Sequence, residues 1–197
     1  MRWHKSWRAD PVARRIADGH YSRQKVGADQ FVQPGRCVVL VIPEVAYWVT
    51  SWPLPQYVKH AWPNAWSCAA FRNLRHCSIC GRPAVCPDHP TAPTRTLHRS
   101  SDLILSAIAA TRFYWTPPPV GMITFVDETK VCHKRDPGRC FLKAGFHRAG
   151  TQPGCTCEGT PQETETEGHL AFHLAVDAMP AAVQPLGAQS SLVLGAM

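Results

Sequence analysis

Four residues between positions 77 and 89 have the types and spacing of a metal site: Cys77-x2-Cys80-x5-Cys86-x2-His89. Three thiolates and an imidazole complete a tetrahedral set for zinc, and both pairs have the two-residue gap that lets one turn present two ligands. Gly81, directly after Cys80, suits the tight turn of a knuckle, and Cys68 and His76 stand nearby as spare ligands. A closed set of four would be structural, because it keeps no open position for substrate. The competing reading is a reduced Cys-rich loop without metal. Cys155-x-Cys157 has a gap too short for the usual zinc pairing and reads as exposed thiols.

Three other groups could carry chemistry. His20-Tyr21 follows a helical segment, in a loop with Arg23 and Lys25, and could reach a cleft from a rigid support; a buried, hydrogen-bonded pair is the plainer alternative. Asp127 ends the most apolar strand candidate, and loops at strand ends carry function, although an Asp there also simply starts a turn. Arg99-Ser100-Ser101 opens a helix whose first N–H groups, beside an Arg, would cradle a phosphate; capping alone also accounts for the serines. His133-Lys134-Arg135-Asp136 adds basic density before a helix start. Trp48, Trp52, Trp62 and Trp66 could stack a nucleobase, or form the core and rim of a sheet.

The elements that must position these groups are legible in part. Asp10-Pro11 caps and opens a short helix with Val12, Ala13, Ile16 and Ala17 on one face, closed by Gly19. Cys37–Ile42 and Val45–Trp52 form a hairpin about Pro43-Glu44, and Trp66–Phe71 is a third strand. Residues 74–96, rich in Cys, Pro and His, read as a loop-like insertion. Ser100 or Ser101 caps a helix with an apolar stripe of Leu103, Ile104, Ala107, Ile108 and Thr111, stopped by Pro117-Pro118-Pro119. Gly121–Val126 is the clearest strand. Asp136-Pro137 starts a last helix ending at Gly145, and Phe146–Thr151 and Gly168–Val176 close the sheet around an exposed loop, 152–167. The fold class is α/β (α+β): one domain over 1–176 with a largely antiparallel sheet flanked by helices, and a mobile tail over 177–197.

Composition bounds the function. The 197 residues are 45% hydrophobic and carry 21 Lys and Arg against 14 Asp and Glu, a net charge of +7. This excludes a wholly disordered chain, and it favours an anionic partner such as nucleic acid or a phosphorylated cofactor. The longest apolar run, Cys37–Ile42, is far below the ~20 residues that cross a bilayer. The basic start Met1–Arg8 has no apolar segment behind it and is no secretory signal. A soluble cytoplasmic protein without membrane contact is expected, and nine cysteines then point to reduced thiols or metal rather than disulfides.

In order, these segments resemble the GNAT (Gcn5-related N-acetyltransferase) fold. The segment Gly138–Phe146 looks like the short helix and Lys-x-Gly-Phe-type end that leads into that fold's last strands. His20-Tyr21, Thr124-Phe125-Val126-Asp127 and the basic run before Gly138 are most similar to the phage Mom-like DNA-modification branch. That resemblance implies a catalytic role for His20, Tyr21 and Asp127, with iron nearby. It also implies an acyl-CoA such as acetyl-CoA, held where Arg99-Ser100-Ser101 replaces the usual Gln/Arg-x-x-Gly-x-Gly/Ala loop. The late-helix Tyr of the family falls at Phe141. Mom-like enzymes place a carbamoylmethyl group on adenine N6, so the expected partner is duplex DNA. The leading expectation is therefore a phage- or prophage-type enzyme that modifies a DNA base. The alternatives are an N-acetyltransferase acting on a small or protein amine, with Asp127 or His20 as general base, and a non-catalytic zinc-knuckle DNA binder.

Overall fold

The computed structural model describes residues 2–58, 60–83, 87–131, 136–149 and 169–187. Seven strands form one sheet: β1 (His4–Ser6), β2 (Cys37–Ile42), β3 (Ala46–Ser51), β4 (Trp66–Asn73), β7 (Met122–Asp127), β9 (His169–Leu174) and β8 (His147–Arg148), in that spatial order. A separate ribbon pairs β5 (Arg75–Cys77) with β6 (Thr94–Thr96). Three helices complete the fold: α1 (Pro11–Ala17), α2 (Ser100–Tyr114) and α3 (Arg139–Lys143). Every junction of the large sheet is antiparallel except β4 with β7. The expected mixed α+β class with a mostly antiparallel sheet is thus observed, and no helix among the described residues is long and apolar enough to cross a membrane.

Strand alternation divides the core. Val38, Leu40, Trp48, Trp66 and Cys68 face α2 and α3 and meet Leu103, Ile104, Ala107, Ile108 and Phe141. Val39, Val41, Tyr47 and Val49 face the other way, against Ala13, Ile16 and Ala17 of α1. Successive strand residues point to opposite faces, so a sheet with apolar residues on both parities must be covered on both sides. On the α2 side the core holds one buried polar chain. Thr111 Oγ1 donates to Ala107 O (2.9 Å), which leaves its lone pairs for Thr50 Oγ1 (3.1 Å), and Thr50 in turn accepts from Trp48 Nε1 (2.7 Å). Each member is satisfied, as burial requires.

Several expectations are corrected. The N-cap of α2 is Arg99, with no side-chain cap bond, and Ser100 is already helical. Asp136 does not cap α3. Gly138 does, at φ 81°, because a Cβ there would lie 2.1 Å from the Phe172 ring. β1 is a strand the sequence reading did not contain. Residues 177–187 form a strap rather than a free tail. Val183 N–H donates to Ala109 O, Arg112 holds the carbonyls of Met179 and Pro180, and Leu186 bonds Trp3 and Lys5 of the β1 segment. The expected 152–167 loop, Cys155, Cys157, the 133–135 basic run and residues 188–197 lie outside the described residues. Trp48 and Trp66 are wholly buried, which removes them as stacking surfaces for a base. Trp52 packs against Trp66 and Trp115, under the Arg36 guanidinium at 4.3 Å.

Candidate functional site

The site begins where the sheet forks. β4 and β7 run side by side for three pairs only, Trp66 with Met122, Ser67 with Ile123 and Cys68 with Thr124. Beyond them β4 continues to Asn73 and β7 to Asp127 without pairing. Parallel neighbours that stop bonding leave backbone groups and side chains facing a gap, and here the gap is a cleft of about 870 Å³. His20, Tyr21, Asp127 and Ser100 all line it, with Arg72 and His169. Residues 107 positions apart in sequence (20 and 127) therefore share one cavity, at the exit of the strand where the sequence placed Asp127.

Helix α1 delivers His20 and Tyr21. Asp10 accepts from Val12 N–H to cap its start, and Pro11 opens it without losing a needed donor. The helix ends at Ala17 with Asp18 as its C-cap and Gly19 just beyond, as a Gly19 stop implies, and Asp18 then pairs with Arg23 at 2.8 Å. Arg23 also holds Gln30 O and Ala28 O, fixing the loop. The His20 and Tyr21 rings stack with centroids 4.4 Å apart. His20 Nδ1 accepts from the Ser22 backbone N–H (3.2 Å) and lies 2.7 Å from Ser22 Oγ, which assigns the proton of the neutral ring to Nε2. Burial pushes the Tyr21 phenol above its ordinary value, against a hydrogen bond from the Asp127 backbone. At neutral pH Tyr21 is a proton donor.

Asp127 is held by its own turn. Oδ1 accepts from Thr129 Oγ1 (2.5 Å), Thr129 N–H (3.0 Å) and Lys130 N–H (3.2 Å). The Thr129 hydroxyl, with the Lys130 amide and nearby His169, keeps the carboxyl below its usual range. Oδ2 lies 3.9 Å from His169 Nε2. Asp127 is thus a firm carboxylate and a weak base. At the cleft's other wall, Asn73 Nδ2 donates to Ser100 Oγ (3.0 Å) and His98 O (2.9 Å). Of the expected phosphate cradle, Ser100 reaches the cleft, whereas Ser101 is turned into the core and bonds Asp102. The leading N–H groups of α2 have no side-chain cap, which leaves the helix end able to meet an anion. Phe141 lines the cleft from α3, stacked on Phe172, and offers no hydroxyl. Cys68 also lines it, its thiol pushed up by burial and therefore no nucleophile.

Two features of the site escaped the sequence reading. Arg72 reaches across the sheet to donate to Ile16 O at the end of α1 (3.0 Å), and Gly19 is the residue that leaves room for its guanidinium. A second cleft of about 760 Å³ lies on the α1 side of the sheet and shares His20, Ser22, Ala69 and Ala70 with the first. Its lining holds Arg23, Lys25 and Arg36, the amides of Gln24, Gln30 and Gln33, and no Asp or Glu among the described residues.

The metal-ligand expectations separate cleanly. Cys77, Cys80 and His89 bring their ligand atoms within 4.8 Å of one another; Cys86, their expected partner, lies outside the described residues. His20 and Asp127 belong to no group of three or more metal-ligand side chains among the described residues. His20 Nδ1 is engaged by Ser22, and Asp127 Oδ1 by its own turn. No protein-family model matches the chain, and neither the curated proteins nor the solved structures contain one significantly similar to it.

Proposed function

We propose that this protein is a group-transfer enzyme of GNAT-like build that modifies a nucleobase, adenine N6 foremost, in duplex DNA. The reading rests on the fork cleft, in which a proton donor, a carboxylate and an uncapped helix end converge from three separate elements. The uncapped start of α2 would take the pyrophosphate of an acyl-CoA, with Ser100 beside it. The second cleft, lined by Lys25, Arg36 and three glutamine amides, would offer a strand backbone cations and a base edge amides that both donate and accept.

The proton inventory separates this reading from transfer to an alkyl amine. As the amine nitrogen bonds the thioester carbonyl carbon, the C–S bond breaks, the amine gives up one proton and the departing thiolate takes one. Tyr21, a phenol protonated at neutral pH, would serve the thiolate. An alkylammonium, with a pKa near that of lysine, about 10.4, must lose a proton before it can attack, and the depressed Asp127 carboxylate is badly matched to that task. The exocyclic amine of adenine is uncharged at neutral pH and becomes strongly acidic only once it has attacked, so a weak base suffices. His20, presenting Nε2–H in its assigned tautomer, would stabilise the oxyanion. The base must leave the stack at a cost of a few kcal/mol.

The test is mass spectrometry of nucleosides from DNA of cells expressing the intact chain, beside a His20→Ala, Asp127→Ala double variant and Tyr21→Phe. A modified adenosine is expected with the intact chain, absent with the double variant and reduced with Tyr21→Phe. An unchanged nucleoside profile with soluble, folded protein overturns the proposal.

A further inference from the structure

We infer that Cys77, Cys80 and His89 hold one structural metal ion of the zinc class, and that this ion folds one wall of the fork cleft. Three independent observations carry this. The ligand atoms already lie within 4.8 Å of one another, while sulfurs on a tetrahedral zinc stand about 3.8 Å apart given Zn–S bonds near 2.3 Å. Modest side-chain rotation closes that difference. The backbone around Cys77 is set as a ligand turn: Gly81 N–H donates to Cys77 O (3.0 Å) and Cys77 N–H to Arg82 O (2.9 Å), with Gly81 at φ 74°.

The third observation is energetic. The described residues between Ser78 and His98 contribute nothing to either apolar core, and the apolar side chains Ile79 and Leu97 are 66% and 49% exposed. What the excursion has instead is a ribbon of three residue pairs. A two-stranded ribbon is marginal in water at best, and coreless units of this size are ordinarily held by disulfides or a metal. Two soft thiolates with an imidazole select zinc over calcium or magnesium.

The ribbon reaches the cleft directly. Cys77 is paired across it with Thr94, and Thr94 accepts from Arg75 through both its hydroxyl (2.7 Å) and its carbonyl. Arg75 and Thr94 both line the fork cleft, next to Asn73 and Ser100. Beside this wall the ribbon is tied to the body by His76 Nε2–H to Glu44 O (2.7 Å), and the chain entering it by Leu74 N–H to Val45 O. Without the ion, Arg75 and Thr94 lose their fixed place in the wall. This inference does not depend on the transferase reading.

The experiment uses the full chain. Zinc is measured by elemental analysis after purification and dialysis, and the ion is then exchanged for cobalt. About one ion per chain is expected, with the visible bands of tetrahedral, thiolate-bound cobalt. Cys80→Ser should abolish those bands; Cys37→Ser, a cysteine of the sheet, should leave them intact. Chelation of the unmodified protein should speed tryptic cleavage at Arg95 by on the order of tenfold, reversed by zinc, with the two cores still folded. Failure of the chain to retain metal after refolding in zinc, or cobalt bands that survive Cys80→Ser, overturns the site. Cleavage that ignores chelation overturns the link to the cleft wall. If Cys80→Ser does not fold, chelation and re-addition on the unmodified chain decide both points.

Discussion

Replacing Gly19 by Ala tests how the cleft wall is joined to α1. The backbone at Gly19 is not in the left-handed region, so alanine can adopt it. Space is the obstacle: the new Cβ would lie 1.7 Å from Arg72 Nη1 and 2.6 Å from its Cζ. A guanidinium tip on a half-buried side chain moves more readily than backbone, so Arg72 should swing away and surrender its bond to Ile16 O. A hydrogen bond from a charged donor contributes about 1.5 kcal/mol at the low end of its range. Restricting the unfolded chain returns about 0.5 kcal/mol. Gly19→Ala should therefore destabilise the protein by about 1 kcal/mol. In an Arg72→Met background the clash and the bond are both absent, and only the gain of about 0.5 kcal/mol remains. The same substitution changes sign between backgrounds, a coupling of about 1.5 kcal/mol. Urea unfolding of the four proteins reads this out directly. An equal cost of Gly19→Ala with and without Arg72 would refute the argument.

Two further outcomes follow from the core and the sheet edge. Thr50→Val removes two bonds of the buried chain and strands the Trp48 indole N–H, so it should cost about 2–3 kcal/mol. Thr111→Val also removes two bonds, but it keeps Trp48 satisfied and strands only a rotatable Thr50 hydroxyl proton, so it should cost less, about 1–2 kcal/mol; thermal unfolding that reverses this order contradicts the assigned direction of the chain. His147 is kept below its ordinary value of 6.5 by desolvation and then by His173, and His60 by desolvation. The unfolded state then binds protons first, so their contribution is present above pH 6.5 and lost as pH falls through the depressed folded values. Tm should drop on acidification, and the slope should flatten in His147→Gln; a Tm flat from about pH 7.5 to about pH 5 counts against it.

The helices and longer strands were legible because their periodicity is local. The α2 stripe Leu103, Ile104, Ala107, Ile108 and Thr111 is buried as expected, and β2 carries the predicted bounds Cys37–Ile42. His20, Tyr21 and Asp127 share a cleft, as their proposed common role requires. The conditions imposed on them by tertiary neighbours could not be read from the chain. That Asp127 is held by Thr129 and Lys130 is a matter of turn geometry, and the fork itself exists only because two strands stop pairing. β1 holds three residues, too few for any period to register, whereas β8, His147–Arg148, lies inside the expected strand Phe146–Thr151. Gly19 looked like a helix stop; its reason is an arginine 53 positions away (72 against 19).

The strap from residue 177 to 187 has a consequence for association. Leu186 bonds the backbone of Trp3 and Lys5, and so occupies the outer rim of β1. At the far rim, β8 spans two residues, His147–Arg148, among the described residues. An exposed strand edge is a template for another chain, and natural sheets blunt it by covering or shortening it. The strap covers the β1 rim against extension by a second copy; it also seats Met179 in the α2-side core, so a variant that loosens it, such as Arg112→Ala, would expose that template and loosen that core together.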